Sequence, residues 1–406
     1  MEDGGTPHVQ AGPEQMPVVA TRCADYEFEA VRAALRRVLA PLGGMAAFVL
    51  PGERIALKPN LLLGTAPELA ITTHPAVVAA VAEEVRQAGA VPIVVESPGS
   101  GIVHTRTLID RVYRKTGYRE AAERHGFELN LDTGYSSVSH PEGRLVRRFE
   151  VMDPILKADG VINLCKFKTH TFQTFTGATK NLFGVIPGLN KVGYHGKFAD
   201  PVRFGEMLLD VAAFARPRLS IMDCIVGLEG KGPGTGGQPR PLGFLLAGTD
   251  TVVIDAVCCR IAHIDPAAVP VLVAARERGL WSGRAADVDT IGVPVSDLEV
   301  PDFQLPARQA RERGDSPVGL VERLSRPVLR GGFTPMPRPK KERCTRCASC
   351  EQACPTGAMS IGEKVAIVND DLCIRCYCCH EVCPYAAIDL EFKGFGRVVN
   401  RLGLAG

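Results

Sequence analysis

Nine of the 14 cysteines in this 406-residue chain fall between Cys344 and Cys383. Eight of them repeat one spacing: Cys344-x2-Cys347-x2-Cys350-x3-Cys354-Pro355, then Cys373-x2-Cys376-x2-Cys379-x3-Cys383-Pro384. Three thiolates at two-residue gaps wrap three corners of a cubane, and a fourth, set off by a turn and a proline, reaches the other cubane. The spacing therefore assigns one [4Fe–4S] cluster to Cys344, Cys347, Cys350 and Cys383. A second falls to Cys373, Cys376, Cys379 and Cys354. Zinc is the competing reading, but zinc sites use Cys-x2-Cys pairs separated by longer gaps, four ligands to one metal. Cys378 has no corner to occupy and reads as a small buried side chain or as a thiol lying near a sulfide.

A second set of chemistry-bearing residues lies far upstream. Lys58, Glu96, Lys166, Lys168 and Glu229 each follow an apolar strand run. In open α/β sheets ligands bind in the crevice outside the carboxyl ends of the strands. If the strands are parallel neighbours, these groups converge. Lysines beside carboxylates make an anion pocket that also transfers protons. Lys166, Lys168, His74, Glu96 and Glu229 are the catalytic candidates, and Lys58, Asn60, His170, Lys180 and Asn181 the substrate-binding ones. Any single lysine after a strand is ordinarily a solvated loop charge, so the argument rests on the set. His74 precedes a helix and reads equally as a capping residue. His170 and His195 fall in polar loops. The stretch "GPGTGG" at 232–237 matches G-x-G-x-x-G, but "QPRP" follows and cannot open a helix, so the dinucleotide-binding context fails. It reads as a mobile loop or lid with Glu229 at its hinge. Asp250 and Asp255 read as helix-starting residues, and Cys165, Cys224, Cys258 and Cys259 as core.

The elements that must position these residues alternate. Strand-like runs begin at 54, 91, 159, 219, 243 and 287, and helical patterns occupy 75–90, 105–125, 201–214, 250–262 and 266–278. That alternation implies an α/β fold, a mostly parallel sheet with helices on both faces, plus a small α+β ferredoxin-like unit at the C-terminus. Residues 1–24 read as a disordered lead-in, 25–300 as the α/β domain, 301–343 as a Pro/Arg-rich linker, 344–392 as the cluster domain and 393–406 as a basic tail.

A net charge of +2 argues against nucleic acid as partner, and no apolar run is long enough for a membrane span. The N-terminus has no apolar signal region, so a cytoplasmic location is expected. A reducing compartment makes a disulfide framework unsuited to the cysteines.

The cysteine stretch resembles bacterial two-cluster ferredoxins over about fifty residues. "KPN" (58–60), "TTHP" (72–75), "KFKTH" (166–170) and "TGATKNLFGVIPG" (176–188) resemble the family called domain of unknown function 362, some members of which carry a ferredoxin module. The resemblance implies an α/β domain linked to iron–sulfur chemistry and names no substrate. The expectation is an iron–sulfur oxidoreductase whose clusters exchange electrons with a small anionic molecule in the lysine-rich cleft and with an external electron donor or acceptor protein. The alternatives are an electron carrier that docks a partner enzyme, and a non-redox binding protein with structural clusters. Residues 344–392 hold seven acidic and three basic side chains, a net of −4, so a lysine-rich rim attracts that module and one cluster is expected to face the cleft.

Overall fold

The computed structural model describes residues 17–99, 103–188, 190–284, 287–306 and 335–391. Its strands in chain order are β1 (Val18–Arg22), β2 (Arg54–Pro59), β3 (Val91–Val94), β4 (Glu128–Leu129), the hairpin β5 (Tyr135–Ser139) and β6 (Arg148–Met152), β7 (Gly160–His170), β8 (Thr174–Thr176), β9 (Leu219–Gly230), β10 (Gly237–Gly248) and β11 (Thr290–Gly292). The main sheet runs β11-β1-β10-β9-β7-β2-β3-β4, with β8 on β7. Its pairs β1–β11, β7–β9, β2–β7, β2–β3 and β3–β4 are parallel, while β1–β10, β9–β10 and β7–β8 are antiparallel. The sheet is thus mixed and mostly parallel, the expected class.

Alternate strand residues enter two different cores. Val18 and Ala20 of β1 oppose Val19, Ala56 of β2 opposes Ile55 and Leu57, and Met222 and Cys224 of β9 oppose Leu219 and Ile221. A strand covered on both faces reads as a continuous apolar run because both of its side-chain rows are buried. Helices supply the two covers. α1 (Phe28–Leu39) and α2 (Pro75–Gln87) pack with α3 (Arg106–Lys115) and α4 (Tyr118–His125) on one side. On the other side, after the short helices α5 (Asp153–Leu156), α6 (Ala178–Asn181) and α7 (Asn190–Lys197), come α8 (Pro201–Ala215), α9 (Thr251–Ile261) and α10 (Pro270–Glu277).

Several boundaries differ from expectation. The lead-in assigned to 1–24 overlaps β1, whose Val18, Val19 and Ala20 are buried in the sheet; residues 1–16 lie outside the described residues. The helix expected at 105–125 breaks at Gly117, which adopts a left-handed conformation between α3 and α4. The linker expected at 301–343 is ordered at both ends. Phe303 is buried in the α/β core, and β12 (Met336–Pro339) pairs with β15 (Ile388–Glu391). Its middle, 307–334, and the tail at 393–406 lie outside the described residues. The C-terminal unit adds a second small ladder, β13 (Met359–Ile361) with β14 (Ala366–Val368).

Candidate functional site

Each half of the cysteine motif repeats one backbone shape. Arg346 and Ala348 in the first run, and Arg375 and Tyr377 in the second, all take left-handed conformations, as do Gly357 and Ala386 after the two prolines. A non-glycine residue there costs on the order of 1 to 2 kcal/mol, so four such residues at matching positions signal a backbone shaped for a ligand. Concavities of this kind, lined by successive N–H groups, serve anionic and iron–sulfur sites. The symmetry extends to hydrogen bonds: Ala358 N donates to Cys354 Sγ (3.1 Å) and Ala387 N to Cys383 Sγ (3.2 Å). One cavity of about 330 Å³ is lined by Cys344, Cys347, Cys350 and Cys383. Another, of about 310 Å³, is lined by Cys354, Cys373, Cys376 and Cys379. Four thiols around each space fit the donor set of a cubane. Cys378 also lines the second cavity and is fully buried.

The α/β domain carries a cavity of about 440 Å³ at the carboxyl ends of β2 and β3. Its wall includes Lys58, Asn60, Glu96, Ser97, Lys180, Asn181, Lys191, His195 and, from the cysteine module, Glu381. Lys58 Nζ pairs with Glu96 Oε2 and donates to Pro59 O (2.9 Å) and Asn181 Oδ1 (3.3 Å). Burial pushes both members of that pair toward their neutral forms, and their mutual attraction opposes it. Gly184 lets the backbone pass this pair, since a Cβ there would lie 2.2 Å from Glu96 Oε1. Lys191 Nζ donates to Ser97 O (2.7 Å), Ser97 Oγ (2.8 Å) and Ile186 O (3.0 Å), and desolvation lowers it to about 7. Burial also lowers Lys180, with Glu381 opposing. It raises Glu381 to about 7 against the pull of Lys180 and Lys168, and drops His195 to about 3. α6, which carries Lys180 and Asn181, is pinned by Asp255, whose carboxylate accepts from Ala178 N (2.5 Å) and Thr179 N (3.1 Å). Asp255 therefore does not start its own helix; Asp250 does, accepting from Val252 N and Val253 N.

Other candidates lie elsewhere. Lys166 faces Asp223 across the β7–β9 pair at 2.8 Å and donates to Tyr26 Oη (2.9 Å). His74 stacks on Tyr26 with ring centroids 3.7 Å apart, and its backbone N–H donates to Asp223 Oδ2 (2.9 Å). Its Nδ1 accepts from Ala76 N, so it caps α2, and burial lowers it to about 4. Lys166 and His74 thus belong to a separate buried network and do not line the cavity. Lys168 stands behind Asn60, donating to Asn60 Oδ1 (2.8 Å), Ile71 O (2.8 Å) and Pro233 O (3.4 Å), and burial pushes it far down. His170 ends β7 and His195 sits in α7, both buried, against the expectation of polar loops. His170 Nδ1 accepts from Phe172 N and Gln173 N, which leaves its proton on Nε2, 3.3 Å from Glu381 Oε1. Glu229 is the clearest departure. It lies within β9, its carboxylate accepts from Gln304 N (3.1 Å), and it is remote from the cavity wall.

The glycine-rich stretch is the turn between β9 and β10 and serves as the seat of the cysteine module. Thr235 Oγ1 donates to Cys383 O (2.7 Å), His380 Nε2 lies 3.4 Å from Lys231 O, and a Cβ on Gly234 would meet Glu381 O at 2.6 Å. Tyr377 enters the α/β core and donates to Pro335 O. The short helix Cys378–Glu381 is consequently buried, and its Glu381 reaches the cavity wall.

Lys191, His195 and Glu381 are the ionisable cavity residues that sequence reasoning left out of the site. Lys191 and His195 are four apart and share one helix face, the single pattern that links them in the sequence. Glu381 has no such signal.

Residues 55–260 match a family described as Domain of unknown function (DUF362), and residues 338–360 match a 4Fe-4S binding domain. The thylakoid-associated protein sll1697 of Synechocystis sp. is 40% identical over 264 residues, 64% of this chain and 78% of that protein. Two solved structures overlap about half of this chain and about half of their own length. The lactate racemase apoprotein from Thermoanaerobacterium thermosaccharolyticum has 13% identity and a TM-score of 0.32. A structural-genomics protein from Thermotoga maritima has 13% identity and a TM-score of 0.30. Among the described residues no helix is long and apolar enough to cross a membrane. The family match spans just over half the chain and holds the cavity lysines Lys58, Lys180 and Lys191, so this protein belongs to the domain of unknown function 362 family and carries a 4Fe–4S ferredoxin motif behind that domain.

Proposed function

We propose that the chain is a cytoplasmic iron–sulfur oxidoreductase that exchanges electrons between an external protein and a small anion held in the Lys58–Lys180–Lys191 cavity. It would hold two [4Fe–4S] clusters, one on Cys344, Cys347, Cys350 and Cys383, the other on Cys373, Cys376, Cys379 and Cys354. One observation carries the reading: Glu381, which lines the cavity, and Cys379, which lines the second thiol cavity, belong to the same four-residue helix. Bound there, such clusters supply one-electron storage at potentials set by hydrogen bonds and exposure.

The protein's own groups divide the remaining work. Lys180 at the cavity wall pairs with the anion, and the other polar groups of the wall orient it. The docked module contributes Glu381 to the wall. The two motifs differ in access, because Cys347 is exposed whereas Cys376 and Cys379 are buried. That asymmetry supports electron exchange with an outside protein at the Cys347 edge and with the anion at the buried end. A reducing compartment suits nine clustered thiols, and the near-zero net charge gives no basis for a nucleic-acid partner.

Anaerobically purified full-length protein is expected to contain about eight iron and eight sulfide per chain, the content of two cubanes. After reduction with dithionite, the small-molecule fraction of a cell extract should drain the stored electrons. If only the protein fraction drains them, the chain is an electron carrier and the substrate reading fails.

A further inference from the structure

The cavity wall can be read donor by donor. An ammonium has three N–H groups and no acceptor. Lys58 commits its three to Glu96, Pro59 O and Asn181. Lys191 commits its three to Ser97 O, Ser97 Oγ and Ile186 O. Lys168, behind the wall, commits its own to Asn60, Ile71 O and Pro233 O. Among the described residues, Lys180 is the lysine of the wall that is only half-buried and whose ammonium makes no hydrogen bond to another side chain or carbonyl.

Two further polar atoms on the same wall are buried without a hydrogen bond, Glu381 Oε1 and His195 Nδ1. Both residues are almost fully buried, at 2% and 1% exposure. Glu381 Oε1 is 3.3 Å from His170 Nε2 but off the line of a hydrogen bond. A buried polar atom left unpaired costs about 1 to 3 kcal/mol, and native proteins leave few of them without a ligand, ion or water. The two atoms belong to different segments, α7 and the cysteine module, so no single local turn explains both.

We infer that the cavity takes a small monoanion that brings its own hydrogen-bond donor beside the charge, a short hydroxycarboxylate being the simplest example. The anionic end meets the Lys180 ammonium, and the ligand's O–H donates to Glu381 Oε1. The inference rests on the anion-cavity reading above and narrows it. Polyphosphates and dicarboxylates are disfavoured, because Lys58 and Lys191 have no N–H left to offer. A site built to pair a ligand's O–H rejects the analogue lacking it, since its own buried group is then unpaired.

The test is calorimetric titration of full-length, cluster-loaded protein with glycolate, acetate and oxalate. Glycolate has the charge and the donor, acetate lacks the donor, and oxalate carries two charges. Glycolate is expected to bind about 10- to 100-fold more tightly than either, the range for one hydrogen bond to a charged group. Lys180→Gln should weaken glycolate by a similar factor. Glu381→Leu, which removes the acceptor, should erase the preference for glycolate over acetate, with iron content confirming that each variant is folded. Equal affinity for acetate or oxalate, an unchanged Lys180→Gln, or binding of none of the three overturns the inference. Dithionite reduction of the same samples separates the outcomes: a protein that selects glycolate but passes no electrons loses the redox reading and keeps this one, and the reverse result does the opposite.

Discussion

The cysteine module and the lysine cavity lie side by side and are built in opposite ways. Eight thiols of the module come from a stretch of forty residues, and their placement follows from gaps of two and three residues and from left-handed positions repeated between them. The cavity draws Lys58 from the end of β2, Glu96 from the loop after β3, and Lys180, Lys191 and His195 from two short helices of the α/β domain, then Glu381 from the module itself. In the first region the chemistry is local and survives as a spacing. In the second it exists only after β2, β3 and α6 have been brought together and the module seated on the turn between β9 and β10. The difference shows in what each lysine does. Most buried lysines here are structural donors tied to carbonyls and amides, and only the packing tells them from the one left open at Lys180.

The sharpest way to break the comparison lies among the cysteines. Cys376→Ser is expected to remove one cluster and about half of the iron, because a four-thiol cavity loses a ligand. Cys378→Ser, two residues away and also lining the second cavity, should keep both. Iron and sulfide analysis decides it, and loss of a cluster from Cys378→Ser would mean that spacing alone does not identify the ligands.

The next effect is on stability. Lys58→Met leaves Glu96 buried without its partner and should cost about 3 to 5 kcal/mol, the range for breaking a buried ion pair from one side. Lys180→Met removes an ammonium that makes no hydrogen bond and should cost under about 1 kcal/mol. The sole tryptophan, Trp281, is buried in the α/β core, so urea unfolding followed by its fluorescence reads that domain directly. Equal losses in the two variants would erase the distinction between structural and open lysines.

The smallest effect is a slope with pH. Lys191 is lowered from an ordinary lysine value near 10.5 to about 7. Between those values the unfolded chain holds a proton that the folded chain lacks, so Lys191 makes stability rise with pH across that window. The limit is about 1.4 kcal/mol per pH unit. Unfolding of wild type and Lys191→Met at pH 7 and at about pH 9.5 tests the sign. The wild type should gain relative to the variant as pH increases; a parallel response in the two would exclude Lys191 as the cause.

Legibility followed the range of the interactions. The strands were readable because burial on both faces leaves a continuous apolar run, as at 219–226, and α2 was readable from Pro75 and its apolar stripe. β1 was missed because a five-residue strand after a Gly/Pro-rich start has too little periodicity to stand out. At the site, Lys58, Asn60, Glu96, Lys180 and Asn181 were placed on the cavity wall from strand ends and motif content. Lys166 and His74 were misplaced because two strand-end lysines in "KFK" look alike in sequence, yet β7 alternation and the Asp223 partner turn Lys166 toward Tyr26. Glu229 was misplaced because a loop was expected where β9 continues to Gly230.

The sequence by itself determined the thiol spacing, the αβ alternation and the family, all of which depend on neighbours in the chain or on burial of whole faces. Only the tertiary structure decided which lysine keeps free N–H groups and which residues wall the cavity. It also decided that the glycine-rich turn seats the ferredoxin module. Those outcomes depend on hydrogen-bond partners brought in from distant segments, such as Ser97 for Lys191 and Glu381 at the cavity wall, and a desolvated ammonium is defined by those partners rather than by its place in the chain.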